Sequence, residues 1–181
     1  MINPEPESGT KASEISLYSE IEDEDVNFDV RAIEFVNQHA SMKLYKNIIS
    51  PKQKILLVDD QQFNIEAIEI LMLYGFKLET KDICDHAFNG KQALEAVKNN
   101  VEHNGFCEYN LILIDCNMPF MDGYEATTAI REYLFSMGLE QPIITAVTGH
   151  VDDNNVNKGI ACGMNQVISK PIGFGVMKHL L

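Results

Sequence analysis

Residues 111–114 read Leu-Ile-Leu-Ile and stop at Asp115, where Cys116-Asn117-Met118-Pro119 turns the chain. The pattern recurs. Ile55-Leu56-Leu57-Val58 runs into Asp59-Asp60, Ile143-Ile144-Thr145-Ala146-Val147 into Thr148, and Val167-Ile168-Ser169 into Lys170. Four strand-like runs each deliver a polar or charged group at the carboxyl end. In an open α/β sheet those ends line the functional crevice.

From Lys54 onward strands and helices alternate. The strands fall near 55–58, 82–86, 109–114, 142–147 and 166–169. Helical spacing covers 62–74, 91–103, 124–136 and 152–162, with a last helix from about 174. Ile65, Ile68, Ile70 or Leu71, and Leu73 give the first helix a buried stripe, and Gly75 is expected to end it as a left-handed cap. Asp122-Gly123-Tyr124-Glu125 has capping-box spacing. Five strands alternating with helices imply a parallel sheet covered on both faces. Right-handed crossovers make it a doubly wound α/β sandwich.

The first 53 residues read differently. Residues 1–28 are polar and acidic, and Met1 to Glu34 holds ten acidic residues against two basic. This reads as a disordered, solvated leader. Within 29–53, Val30, Ile33, Val36 or Asn37, Ala40 and Leu44 recur at helical spacing over 29–46, and 47–53 with Ser50-Pro51 form a short linker. The net charge of −13 argues against a nucleic-acid face. No apolar run approaches membrane-span length. Cys84, Cys107, Cys116 and Cys162 show no CxxC spacing, so they read as reduced thiols of a cytoplasmic protein.

Taken together, the strand ends place Asp59, Asp60 and Asp115 in one crevice. Two carboxylates about 4 Å apart repel by roughly 4 kcal/mol at an effective dielectric of 20. A hard divalent cation relieves that, and carboxylates with a main-chain carbonyl and waters suit Mg2+. Lys170 brings a second positive charge to the same rim. A carboxylate flanked by Mg2+, an ammonium and a hydroxyl is equipped to attack phosphorus and form an acyl phosphate. Thr148 offers the hydroxyl, and Gly149 leaves space beside it.

The set Val58-Asp59-Asp60, Asp115 through Gly123, Val147-Thr148-Gly149-His150 and Lys170-Pro171-Ile172 resembles the response-regulator receiver domain, over residues 54–181. Asn64, four residues after Asp60, and Met164-Asn165 before Ser169-Lys170-Pro171 resemble receivers of hybrid histidine kinases. The resemblance implies a flavodoxin-like strand order of 2-1-3-4-5 and a cis peptide before Pro171. It makes Asp115 the phosphoacceptor. Asp60 binds Mg2+ directly, Asp59 through water, and the Asn117 main-chain carbonyl completes the protein ligands. Thr148 and Lys170 contact the phosphoryl group.

The implied partner is a histidine kinase or histidine phosphotransfer protein, with slow self-dephosphorylation afterwards. A phosphorylation-dependent dimer is a further expectation. No nucleic-acid partner, membrane insertion or DNA-binding output domain is expected. Location is cytoplasmic, or on the cytoplasmic side of a membrane-bound kinase.

This chain departs from the family pattern in three places. Val167 stands where an aromatic residue usually precedes the lysine by three positions. The stretch Phe76–Ile83 is longer than usual, so the edge strand is expected to be irregular. The final helix is short.

Other residues have plainer readings. Asp122 reads as a helix cap, Cys116 as a small buried residue and His150 as a solvated loop residue. His39 lacks the surroundings of a phosphohistidine. The 152–162 stretch, with Asp152, Asp153, Asn154, Asn155, Asn157 and Gly159, is rich in poor helix formers and is expected to be labile. Two rival functions remain at this level. A haloacid-dehalogenase-like phosphatase needs an acid two residues after its nucleophile, where this chain has Asn117. A non-phosphorylated receiver-like scaffold would not need Asp59, Asp60, Asp115, Thr148 and Lys170 intact.

Overall fold

The computed structural model describes residues 54–181. The acidic leader, the expected helix within 29–53, the linker and His39 lie outside the described residues.

The described chain forms β1 (Lys54–Val58), α1 (Gln62–Ile70), α2 (Thr80–Ile83), β2 (Cys84–Ala87), α3 (Gly90–Asn104), β3 (Tyr109–Ile114), α4 (Gly123–Ser136), β4 (Ile143–Thr148), α5 (Asp153–Ala161), β5 (Gln166–Ser169) and α6 (Phe174–Leu180). The five strands pair in parallel in the order β2-β1-β3-β4-β5. That is the expected doubly wound sheet.

Alternate residues of the apolar runs feed two cores. Leu56, Val58, Ile112, Ile114, Ile144 and Ala146 face α3 and α4, where Val97, Val101, Ile130 and Leu134 meet them. Ile55, Leu57, Leu111, Leu113 and Val147 face the other way, onto Ile65 and Met72 of the first helix and Met177 and Leu180 of α6. Because both faces are covered, the strands need no polar alternation, and polarity is confined to their ends.

The first helix corrects one expectation. Gly75 is not its left-handed cap. The helix continues past Ile70 as a π-helical turn, Leu71–Gly75, and the left-handed residue is Lys77, at φ 60°. The Lys77 and Leu78 amides donate to the Leu73 and Met72 carbonyls. Gly75 instead permits close approach: a Cβ there would lie 3.2 Å from the Phe174 ring, which stacks on Phe76. On the same helix Ile70 is 57% exposed, so Leu71 and Met72 carry the buried stripe past Ile68.

The long stretch before β2 also has an identity. It contains the short helix α2, which shortens β2 to four residues at the sheet edge. The capping box at Asp122 forms as read: its carboxylate accepts from the Glu125 amide and Glu125 accepts from the Asp122 amide. Arg131, on α4, donates to the carbonyls of Gly163 and Pro142 and to Asn165 Oδ1, tying α4 to the loops before β4 and β5.

α5 crosses the sheet edge with Gly159 against Val167. A Cβ on Gly159 would sit 2.8 Å from Val167 Cγ2 and 3.2 Å from Met164 Sδ. Gly159→Ala relieves helix entropy by about 1 kcal/mol, but overpacking a filled contact costs about 1–3 kcal/mol. The expected net effect is destabilisation by about 1 kcal/mol, read as a lower Tm. In a Val167→Ala background the same substitution is expected to be neutral or stabilising. Additive effects in that double-mutant cycle would contradict the packing argument.

Candidate functional site

Four of the parallel strands, β1, β3, β4 and β5, end in the residues of interest, and register brings them together. The Asp115 amide donates to the Val58 carbonyl at 2.8 Å, and the Lys170 amide donates to the Thr148 carbonyl at 2.8 Å. Thr148 pairs with Ser169 across β4 and β5. Residues 111 positions apart thereby become neighbours: Lys170 Nζ donates to Asp59 Oδ2 at 2.6 Å. The same ammonium lies 3.0 Å from Asp115 Oδ2. The Lys170–Pro171 peptide is cis, as the resemblance implied.

Asp59 and Asp115 are buried and Asp60 is half-buried. One carboxylate oxygen from each can be chosen so that all lie within 4.8 Å of one another. That is close to the roughly 4 Å that separates oxygens on opposite sides of a Mg2+ ion. A cluster of hard oxygens with a single ammonium fits a hard divalent cation.

The three carboxylates are held differently. Asp59 Oδ1 accepts from the Gln61 amide at 2.9 Å and from Asn64 Nδ2 at 2.8 Å, while Oδ2 is taken by Lys170. Among the described residues Asp60 accepts one exposed bond, from Gln61 Nε2 at 3.2 Å. Asp115 receives Lys170 and the Asn117 amide. Asn117 itself is exposed in the loop that follows.

Burial dominates the electrostatics. It raises the Asp115 carboxyl above its usual range despite the opposing Lys170 bond, and the Asp59 charge adds to the rise. Burial works against the Lys170 charge too, but the bonds to Asp59 and Asp115 outweigh it and hold the ammonium above its ordinary value.

Gly123 lets the following helix close over this loop. Its amide donates to the Cys116 carbonyl at 3.1 Å, and a Cβ there would lie 2.2 Å from the Asp115 carbonyl oxygen. No side chain larger than hydrogen fits without moving backbone.

Thr148 sits at the expected strand end but is 1% exposed. It accepts weakly from the His150 amide at 3.4 Å and lies beside the Cys116 thiol. Cys116 is buried, as expected, and burial pushes its thiol up, with Tyr124 and Thr148 bonding to it. His150 is an exposed loop residue.

Sequence reasoning missed Tyr124. Its ring is buried, its hydroxyl reaches Asn155 Oδ1 of α5 at 3.4 Å, and Lys158 stands over the ring at 3.8 Å. Lys158 also pairs with Asp122 at 3.7 Å. Thr148, Cys116, Tyr124 and α5 thus form one contiguous set. Its only sequence signal was an aromatic residue in the first turn after the capping aspartate.

The sequence model of the response regulator receiver domain matches residues 55–181. Hybrid signal transduction histidine kinase B of Dictyostelium discoideum is 38% identical over 128 residues, covering 66% of this chain and 6% of that protein. The chain therefore spans only a small part of that relative. The receiver domain of the histidine kinase CKI1 from Arabidopsis thaliana, solved with Mg2+, has a TM-score of 0.58 at 28% identity, covering 71% of this chain and 92% of that one. The Saccharomyces cerevisiae structure of the histidine phosphotransfer signaling protein Ypd1 with the receiver domain of its downstream response regulator Ssk1 has a TM-score of 0.57 at 26% identity. It covers 72% of this chain and 86% of that one.

The raised Asp115 carboxyl has a sign that can be checked. A carboxyl raised in the folded state binds more protons there than in the unfolded chain. Stability therefore falls as pH rises through the window from about 3.8 upward. In metal-free buffer at pH 7, Asp115→Asn is expected to melt higher than the wild type. The gain is expected to shrink as pH falls below that window, where the wild-type group is already neutral. Thermal unfolding with a chelator across pH 3–7 (on the order of five points) measures it. A variant less stable at neutral pH would oppose the reading.

Proposed function

Because the chain belongs to the response regulator receiver domain family, we propose that residues 54–181 accept a phosphoryl group on Asp115. The donor is a phosphohistidine, the cofactor is Mg2+, and the setting is a two-component phosphorelay. The observation that carries this is the ammonium of Lys170 bridging Asp59 and Asp115 beside the less-encumbered Asp60. Two likenesses support it: the Arabidopsis receiver was solved with Mg2+, and the yeast receiver was solved with a phosphotransfer protein.

Asp60, Asp115 and the Asn117 main-chain carbonyl would hold the Mg2+, with Asp59 contributing through water. When bound, the ion offsets charge on the phosphoryl oxygens. The chain's own groups do the rest. An Asp115 carboxylate oxygen attacks phosphorus, the P–N bond breaks, and the imidazole leaves with its electron pair. Lys170 is already in contact with Asp115 and compensates part of the incoming charge. Water later cleaves the acyl phosphate slowly and regenerates the carboxylate.

The mouth of the site suits a protein donor. Phe63, Phe88 and Phe120 sit in loops or the first turn of a helix at the carboxyl end of the sheet and are 65%, 41% and 92% exposed. A partner that covers them excludes water from the transfer. We assign the partner as a histidine kinase or histidine phosphotransfer protein and the setting as the cytoplasm. Among the described residues no helix is long and apolar enough to cross a membrane. A dimer that forms on phosphorylation is part of the same reading.

The output runs through α5 in this reading. With Val167 in place of the usual aromatic ring, Tyr124 links Cys116 and Thr148 to Asn155 and Lys158. Gly159 is the one fully buried residue of α5, so few buried contacts oppose its opening. When Thr148 rotates toward a phosphoryl oxygen, it leaves its place beside the Cys116 thiol and the set must rearrange.

Two measurements test the reading. Incubation with acetyl phosphate and Mg2+ is expected to add the mass of one phosphoryl group to the intact protein. Asp115→Asn and chelated samples are expected to stay unmodified. An unmodified wild type, or an equally modified variant, rejects the phosphoacceptor. Hydrogen exchange of residues 150–162 is expected to change on adding beryllofluoride with Mg2+, and to change less in Tyr124→Phe. Identical protection with and without the mimic rejects the output route.

A further inference from the structure

Asn64 stands at the third position of α1, three residues beyond the capping position Gln61. A polar residue there commonly reaches back to the backbone amide of the cap. Here it does not. The Gln61 amide donates to Asp59 Oδ1 at 2.9 Å, and Asn64 Nδ2 donates to the same oxygen at 2.8 Å. Asp59 Oδ2 is occupied by Lys170 at 2.6 Å. Both oxygens of a 4% exposed carboxylate are therefore engaged by fixed donors from the helix start and from the end of β5.

We infer that Asn64 is the positioning residue of the cation site, acting through Asp59; the inference rests on the Mg2+-dependent reading above. The amide carries no charge, so it leaves the total charge of the carboxylate cluster unchanged. What it fixes is orientation. With Oδ1 held by two N–H donors, Asp59 stays turned toward Lys170 and the helix, and its remaining lone pairs are directed at a water rather than at the ion. Asp60, which lacks such restraint, and Asp115 are left as the direct carboxylate ligands. Without Asn64 the Asp59 side chain has one helix donor instead of two and can swing toward Asp60 and Asp115, where like charges repel. Outer partners of this kind typically change metal affinity 10–100-fold when removed.

The site of Asn64 also separates this role from a structural one. It lines a groove of about 320 Å³ between α1 and the Lys170–Ile172 loop, with Ala67, Ile68, Leu71 and Ile172 as apolar walls. Leucine has the same branched skeleton of side-chain heavy atoms as asparagine, suits a helix better and suits those walls. It cannot donate to Asp59.

The experiment is a calorimetric titration with Mg2+ alone at fixed ionic strength, on the wild type, Asn64→Ala, Asn64→Leu and Asp60→Ala. Thermal unfolding of each in chelator is measured alongside. The expected result is a Kd for Mg2+ weaker by on the order of tenfold in both Asn64 variants. Metal-free Asn64→Leu is expected to melt at or above the wild-type temperature, which shows that the affinity loss is not loss of fold. Phosphorylation by acetyl phosphate is expected to recover in Asn64→Leu when Mg2+ is raised to saturation. Wild-type affinity in Asn64→Leu overturns the inference and leaves the phosphoacceptor reading intact. A wild type that takes up no Mg2+, or takes it up equally after Asp60→Ala, overturns that reading and the inference with it.

Discussion

Lys170 Nζ lies 2.6 Å from Asp59 and 3.0 Å from Asp115, and the site is organised around that ammonium. Two buried carboxylates from different strands cannot stay charged side by side without a cation between them. The cation arrives from a fifth strand, over a sequence separation of 111 residues. Its placement depends on the β4–β5 register, on the Lys170 amide bonded to the Thr148 carbonyl, and on Asn165 and Arg131 fixing the turn that leads into β5. The Asn165 side chain accepts from the Ile144 amide and its own amide donates to the Ile144 carbonyl. A slip of one residue in β5 would turn Lys170 to the opposite face. The sheet therefore serves the ion pair as much as the core.

The absence of an aromatic ring at Val167 is tied to packing rather than to a missing function. Gly159 brings the α5 backbone so near that its own Cβ would meet Val167 at 2.8 Å. A ring at position 167 needs the space that α5 occupies. The aromatic side chain of this region comes instead from Tyr124, at the first turn of α4, and lies under Lys158 of α5. Burial and its bond to Cys116 push the Tyr124 hydroxyl well above its usual range, so it stays a neutral donor. An element that few buried contacts hold, beside the threonine that the proposed reading turns toward the phosphoryl group, is where a local charge change would become a wider rearrangement.

The parts of the site that could be read from the chain are those where a polar residue ends an apolar run. Asp59, Asp60, Asp115, Thr148 and Lys170 were visible because period and strand-end position alone place them. The parts that could not be read depend on side-chain reach between elements. Asn64 looked like a spacing feature, and only the fold shows its amide on Asp59. Arg131 carries no signal in the sequence, yet it is half-buried, with burial lowering its pKa while it holds three segments together. Gly75 looked like a cap because glycine favours positive φ, yet the π-helical turn moved that conformation to Lys77. Local propensity named the residue type but could not count the extra residue in the turn.

The charge balance also explains why such a site rests in one arrangement and works in another. At rest one ammonium faces three carboxylates, two of them buried, so the cluster is short of positive charge. A phosphoryl group on Asp115 replaces one negative charge by about two. The deficit deepens, and every donor within reach becomes worth more. The Lys170 ammonium is in place already, while the Thr148 hydroxyl is buried beside Cys116. Its hydrogen bond in that position is a weak one: a 3.4 Å contact from the His150 amide. A hydrogen bond to a charged phosphoryl oxygen is roughly twice as strong as a neutral one. In the proposed phosphorylated state the balance would favour a Thr148 hydroxyl turned toward Asp115, and the difference between the two sets of contacts would be the free energy available to move Cys116, Tyr124 and α5.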